Sequence, residues 1–463
     1  MKIVRIFRRS TAAVLVLTML GGCVLREAEA PAVTRDMPEI PEETEVSVTE
    51  TEKLPEPEVV PDAEIITEIV TEPAAEIVPG EDTPAVQEIL PEPETAVTPE
   101  PEIIPEPEVS PEAEVFPEAE VTAETPEQVR ERRISEELAK MTLREKLGQM
   151  FMPAYSSAAA SQITEYAFGS YILFAADFET ETTDSLAAKM AALQDAAKYG
   201  LLTAVDEEGG TVTRISRFTQ YRAEKFKSPR TLYSWGGMEL IRSDAAEKAA
   251  LLKSLGMNLN MAPVADISQN ESDFMYWRSV GLDAEGTAEF VRTVIRESAL
   301  SGVGSVAKHF PGYGSVADTH TGMAYDSRSL DELRAKDFVP FAAAVGEGVC
   351  AILVSHIITE SIDAEKPASV SAKTVALLRD ELGYDGIIMT DDLAMAGITD
   401  YCTTGNAALE AILAGCDMLC CSNWSAQYPA VWEAVGNGTV TEERLNESAA
   451  RILRVKYDMG LWQ

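Results

Sequence analysis

Histidine is scarce in this chain: His309, His320 and His356 are its three copies in 463 residues. Six cysteines accompany them, none in a C-x-x-C pair, so the donors for a zinc cluster of the usual spacing are missing and no metal site is expected. Cys23 stands alone near the N-terminus. Cys350, Cys402, Cys416, Cys420 and Cys421 form an odd set and read as buried free thiols, not as a disulfide framework. Positive charge is short as well, with 38 Lys+Arg against 77 Asp+Glu and a formal net charge of −39. No basic stripe is available to neutralise phosphates, which excludes nucleic acid as a partner. Long apolar runs are also lacking: beyond the N-terminal segment, no stretch suffices to span a bilayer.

That N-terminal segment is a targeting signal. Lys2, Arg5, Arg8 and Arg9 precede an apolar core from Ala12 to Leu20, followed by Gly21-Gly22-Cys23. Leu20-Gly21-Gly22-Cys23 resembles the bacterial lipobox, which implies a signal peptide over 1–22 and a lipid on Cys23. The next stretch, 23–126, is set apart by composition. Residues 24–127 hold 31 Asp+Glu against three basic residues, and 18 of the 25 prolines, in loose repeats such as PEPEII, PEPEVS and PEAEVF. Frequent proline and mutual glutamate repulsion forbid regular helix, so a disordered acidic spacer is expected. If largely polyproline II, about 100 residues reach on the order of 300 Å. A stalk is the natural function, with a binding tail as the rival.

From 127 to 463 the composition turns globular. Ser135–Leu147 has helical spacing, with Thr142 a candidate cap. Apolar strand candidates follow at Gln149–Met152, Ser170–Phe174, Leu201–Val205, Met257–Pro263, Gly304–Lys308, Ala351–Ser355, Gly386–Thr390 and Asp417–Cys421. Amphipathic stretches alternate with them, among them 184–199, 287–301, 371–382 and 407–414. Eight strands alternating with helices predict an α/β fold, a (β/α)8 TIM-type barrel. A doubly wound open sheet shares the same local pattern.

In such a barrel, chemistry belongs at the carboxyl ends of strands. Polar residues fall there on five of them: Asp206, Asp266, Lys308-His309, His356 and Asp391-Asp392. The stretch Lys308–His320, KHFPGYGSVADTH, is the densest in chemistry. Its strand breaks at Pro311-Gly312. Beyond it, on an extended segment, Asp318 and His320 lie two apart and point the same way, so Asp318 can hold one imidazole nitrogen and leave the other for proton transfer.

These residues bring the chain into resemblance with glycoside hydrolase family 3, in its single-domain β-N-acetylhexosaminidase branch. The matching runs are AVDEEGGTVTR (204–214), NMAPVADI (260–267), KHFPGYG (308–314), DTH (318–320), LVSHI, PASVS, GIIMTDDLAM (386–395) and the closing RILRVKYDMGLW (451–462). The resemblance implies Asp391 as catalytic nucleophile, His320 as acid/base and Asp318 as its partner. It also implies Asp206, Arg214, Arg278, Lys308 and His309 as sugar-binding positions. His356 and Asp392 read as structural. Two departures stand out: Tyr313 occupies the place of a second His in the family motif KHFPGHG, and Arg278 lies in YWRSV, where an acidic or small residue usually precedes the Arg. Two-domain members of the family take a glutamate acid/base from a second domain after the barrel. Here the barrel is expected to end with the chain, which leaves the proton donor to its own loops.

The combined expectation is a lipid-anchored, cofactor-free, retaining exo-β-N-acetylglucosaminidase in the bacterial cell envelope, facing the exterior or periplasm. Its expected substrate is an N-acetylglucosamine-containing glycan such as a peptidoglycan fragment. The alternatives are a phosphorolytic member, a β-glucosidase, or an inactive carbohydrate-binding surface lipoprotein.

Overall fold

The computed structural model describes residues 124–402 and 405–462; the signal segment, Cys23 and the spacer up to residue 123 lie outside the described residues. The first described element is a helix at Pro126–Leu138. Thr125 caps it through a reciprocal box with Gln128 and places Pro126 where its missing N–H costs nothing. Thr142 starts a second helix, Leu143–Gln149, by the same device with Glu145. The single helical stretch expected across 135–147 is therefore two helices, because a capping residue in extended conformation interrupts it.

Ten strands follow among the described residues: β1 (Phe151–Met152), β2 (Ser170–Leu173), β3 (Leu202–Val205), β4 (Leu259–Asn260), β5 (Gly304–Phe310), β6 (Tyr325–Asp326), β7 (Ala351–Val354), β8 (Ile358–Thr359), β9 (Ile387–Thr390) and β10 (Leu419–Cys420). Six of them form one curled parallel sheet in the order β2-β3-β4-β5-β7-β9. β1 pairs in parallel with β10, and single bridges join this pair to the sheet, Ala154 to Ile172 on one side and Met389 to Met418 on the other. β6 and β8 form a small separate parallel ladder.

All eight strands expected from the sequence are present, with different limits. β4 is shorter than the expected 257–263, in keeping with Pro263, which has no N–H to offer a ladder. β5 runs on to Phe310, which pairs with Val354 after a register shift past His309. The bulge keeps the strand paired while re-aiming Lys308 and His309.

Helices alternate with these strands, including Thr183–Ala196, Pro229–Ser254, Ala284–Leu300, Phe338–Gly346, Ala407–Ala414, Trp424–Gly436 and Glu442–Asp458. The helix expected over 371–382 is α-helical only over Ala372–Ala376 and continues as a π turn through Glu381. Every residue of β2, β3, β5, β7 and β9 is buried, as befits parallel strands covered on both faces. One contiguous apolar core joins these strands to the surrounding helices. Cys416, Cys420 and Cys421 sit in that core, Cys350 and Cys402 at its margin, and all five are free thiols. No helix among the described residues is long and apolar enough to cross a membrane.

Candidate active site

At the carboxyl end of β3 the chain turns back on itself through Asp206-Glu207-Glu208-Gly209-Gly210. Buried Glu207 pins the returning loop by accepting the Arg214 and Ile215 N–H groups at 2.9 and 2.8 Å and the Ser216 hydroxyl at 2.5 Å. Asn260, at the end of β4, closes the turn on both backbone atoms of Glu207. This frees Asp206 and Glu208 to face the neighbouring strand end. Gly209 takes φ 101°, and a Cβ there would stand 2.3 Å from the Lys227 carbonyl, so only glycine fits.

Two cations meet these carboxylates. Lys308 Nζ lies 2.6 Å from Asp206 and 2.7 Å from Glu208. The Arg278 guanidinium holds Glu208 in bidentate fashion at 2.9 and 2.7 Å. Burial opposes the charge on Lys308, but Asp206 and Glu208 outweigh it and hold the ammonium above its ordinary pKa. Burial likewise opposes ionisation of Glu208, yet Arg278 and Lys308 hold its carboxyl far below the usual range. Buried ions persist when they are paired in this way. Arg214 approaches Asp206 at 3.9 Å, and its Nε is buried without a hydrogen-bond partner among the described residues.

His309 is enclosed. Its Nδ1 lies 2.6 Å from Asp266, and its Nε2 is 3.2 Å from Arg278. Asp266, itself buried, also accepts the backbone N–H of His309 and of Tyr313, at 3.2 and 2.8 Å. This carboxylate, in the loop after β4, thus fixes the break after β5.

Asp391 follows β9 directly and is half-buried. One carboxylate oxygen accepts the Asp392 N–H at 2.9 Å; the other makes no hydrogen bond to a described residue. Burial pushes the pKa of Asp391 up, but His356, His309 and Lys308, with the Asp392 N–H, together bring it below the ordinary carboxylate value. Asp392 turns away to cap the backbone N–H groups of Ala394 and Ser422. Buried His356 bonds Ser369 at 2.8 Å and the Asp392 carbonyl at 3.0 Å, so both nitrogens serve the scaffold. Burial lowers its pKa, and it also feels the charges of Asp391 and His320.

Asp318 and His320 form a hydrogen-bonded pair, with Asp318 Oδ1 2.6 Å from His320 Nδ1. The segment is not extended as expected. Asp318 also accepts the His320 backbone N–H at 2.9 Å, and its carbonyl accepts that of Thr321, so the pair sits on a tight turn. A short acidic side chain that bonds its own backbone two residues on favours such a turn over a strand. The His320 side chain is 58% exposed and Asp318 27%. His320 Nε2 bonds no described residue, which leaves it open to an incoming group.

Asp206, Arg214, Arg278, Lys308 and His309 are thus gathered at three neighbouring strand ends, and Asp391 and the Asp318–His320 turn border them. Two further contributors are Glu208, to which the sequence gives no role, and Asp266, which the sequence places after the fourth strand without a partner. Their signal was an acidic residue at a strand end in a chain that also buries cations; the partners became visible only in three dimensions.

The family model for the glycosyl hydrolase family 3 N terminal domain matches residues 142–455, well over half of the chain. A β-hexosaminidase from Methylococcus capsulatus is 31% identical over 312 residues, spanning 66% of this chain and 91% of its own length. One from Nitrosomonas eutropha is 34% identical over 274 residues, covering 57% of this chain and 76% of its own. The solved structure of a glycoside hydrolase family 3 β-N-acetylglucosaminidase from Paenibacillus sp. str. FPU-7 superposes with a TM-score of 0.65 at 30% identity, over 69% of this chain and 63% of that one.

Proposed function

The chain belongs to glycosyl hydrolase family 3 and is a glycoside hydrolase; from that premise we propose that it is a retaining exo-β-N-acetylglucosaminidase in which Asp391 is the nucleophile and His320 the acid/base. The observation that carries this reading is the hydrogen-bonded Asp318–His320 pair on a turn whose Thr319 carbonyl accepts the N–H of Gly397, six residues after Asp391. The β-hexosaminidase relatives support the same activity.

In the first step, the free oxygen of Asp391 attacks the anomeric carbon. The bond from that carbon to the leaving oxygen breaks, and the proton on His320 Nε2 passes to that oxygen. Asp318 accepts the Nδ1–H bond throughout. It fixes the ring and stabilises the imidazolium from which the proton is drawn. In the second step, water attacks the glycosyl–Asp391 ester, gives its proton to Nε2, and releases the sugar with net retention. The groups that would hold the sugar hydroxyls and acetamide are Asp206, Lys308, Arg214 and the Arg278–His309 pair. The unpartnered Arg214 Nε fits an acceptor brought by the substrate.

The fold reading extends to a closed (β/α)8 barrel, supported by the backbone bonds between Tyr155 and Ile172, and between Thr390 and Met418, at the two seams of the sheet. The substrate proposed is a peptidoglycan fragment, with terminal N-acetylglucosamine released from N-acetylmuramic acid. The lipobox-like run at Cys23 and the acidic spacer fit an enzyme tethered in the cell envelope. If so, Cys23→Ala should leave the membrane fraction for the soluble one; unchanged fractionation would remove the anchor from this reading.

Activity is tested with an aryl N-acetyl-β-glucosaminide and the matching β-glucoside, each with and without phosphate. Preferential hydrolysis of the first, indifferent to phosphate, is expected. A preference for the glucoside, or a glycosyl phosphate as the product, would replace this reading with one of its alternatives.

A further inference from the structure

The turn that carries the proposed acid/base has one buried residue. Between Ser315 and Met323 every residue is exposed or half-exposed except Thr319, which is 0% exposed and lies between the members of the dyad. Its hydroxyl meets the Tyr313 hydroxyl in a short hydrogen bond. Its carbonyl accepts the Gly397 N–H at 2.9 Å. Gly397 lies six residues after Asp391, and a Cβ there would stand 2.9 Å from that carbonyl and 3.1 Å from the Thr319 Cβ. Through Thr319 the acid-bearing turn is thus fastened on one side to the break after β5 and on the other to the segment leading from the proposed nucleophile.

Tyr313 is itself rigid. Its N–H bonds Asp266 at 2.8 Å, and its ring packs edge-on against His309 at 5.2 Å. Phe274 bridges it to the loop, with ring centroids 5.7 Å from Tyr313 and 6.3 Å from His320. The phenol is buried and its pKa is raised, first by burial and then by the charge of Asp391. It stays protonated and is a steady hydroxyl partner.

We propose that Tyr313, standing where the family motif carries a second histidine, is a positioning residue for the acid/base: its hydroxyl, through Thr319, holds the Asp318–His320 turn at the nucleophile. This rests on His320 being the proton donor. Without the clamp the turn keeps its internal Asp318–His320 bond but loses its place, so proton donation suffers while sugar binding does not. Misplacement by about 1 Å can cost on the order of a hundredfold in rate.

The test is Tyr313→Phe in the full-length protein, with aryl and alkyl N-acetyl-β-glucosaminides of graded leaving-group ability. On the poorest leaving group kcat should fall about ten- to a hundredfold with little change in KM. On a dinitrophenyl substrate, which needs little protonation, the loss should be several times smaller. Thr319→Val should reproduce the pattern, Thr319→Ser should restore most of the rate, and the double variant Tyr313→Phe/Thr319→Val should be no worse than either single one. Thr319→Val and Thr319→Ser carry the test alone if Tyr313→Phe misfolds. Equal losses on all leaving groups, additive single variants, or no loss would overturn the proposal. His320→Ala keeps the two readings apart. If that variant lacks leaving-group dependence, the acid/base assignment fails; if it shows the dependence and Tyr313→Phe does not, only the clamp fails.

Discussion

Asp391→Ala should reduce turnover by on the order of 10⁴–10⁶-fold, the scale on which removal of a nucleophile abolishes covalent catalysis. The expected binding of N-acetylglucosamine, read by calorimetry or ligand-observed NMR, changes little, because the cation–carboxylate cluster of Asp206, Glu208, Arg278 and Lys308 does not include Asp391. The wild-type pH profile carries the same signature. Asp391 is held below the ordinary carboxylate pKa, so it stays ionised as pH falls toward that value, and the acid limb of kcat/KM should lie lower than an ordinary carboxylate would place it. Near-normal turnover in Asp391→Ala would move the nucleophile elsewhere. A wild-type protein that binds the sugar and never turns over would point to the carbohydrate-binding alternative.

His320→Ala should cost about 10²–10⁴-fold on substrates with poor leaving groups, the usual contribution of a positioned general acid. The loss should shrink steadily as the leaving group becomes more acidic, since an aryloxide that departs unaided needs no proton. Asp318→Asn should be milder. The ring remains and the turn can still be bonded through an amide oxygen, but the negative charge that stabilises the imidazolium is gone. A Brønsted plot of log kcat/KM against leaving-group pKa, for wild type and both variants, reads the effect. Parallel plots would assign His320 to binding and not to proton transfer.

The strands were legible because each is short, apolar and bounded by glycine, proline or a capping residue. β9 illustrates this: Ile387–Thr390 is buried throughout and ends at the one carboxylate that matters most. The place of Asp206, Lys308 and His309 at neighbouring strand ends followed from the same alternation. What escaped were features created by strands meeting in space. Glu208 looks like any member of an acidic run until Lys308 and Arg278 arrive from β5 and the loop after β4. Asp266, in the loop after β4, is one acidic residue among several until it is found holding both His309 and the N–H of Tyr313. The local geometry of Asp318–His320 is not legible in the sequence for a different reason. Spacing of two suits both a strand and an Asp-led turn, and the turn wins because Asp318 satisfies the His320 N–H as well as its ring. Tyr313 is visible in the sequence as a departure from the motif, but its hydroxyl partner is set by the folded loop.

The most direct measurement is to trap the glycosyl-enzyme. A slow 2-deoxy-2-fluoro or 5-fluoro glycosyl donor should acylate no side chain and instead glycosylate a carboxylate, adding the mass of one sugar to the peptide that contains Gly386–Met395. Fragmentation should place the sugar on Asp391, and Asp391→Ala should show no adduct. An adduct on another residue, or inactivation of wild type without any adduct alongside an oxazoline product from the substrate's own acetamide, would contradict direct attack by Asp391.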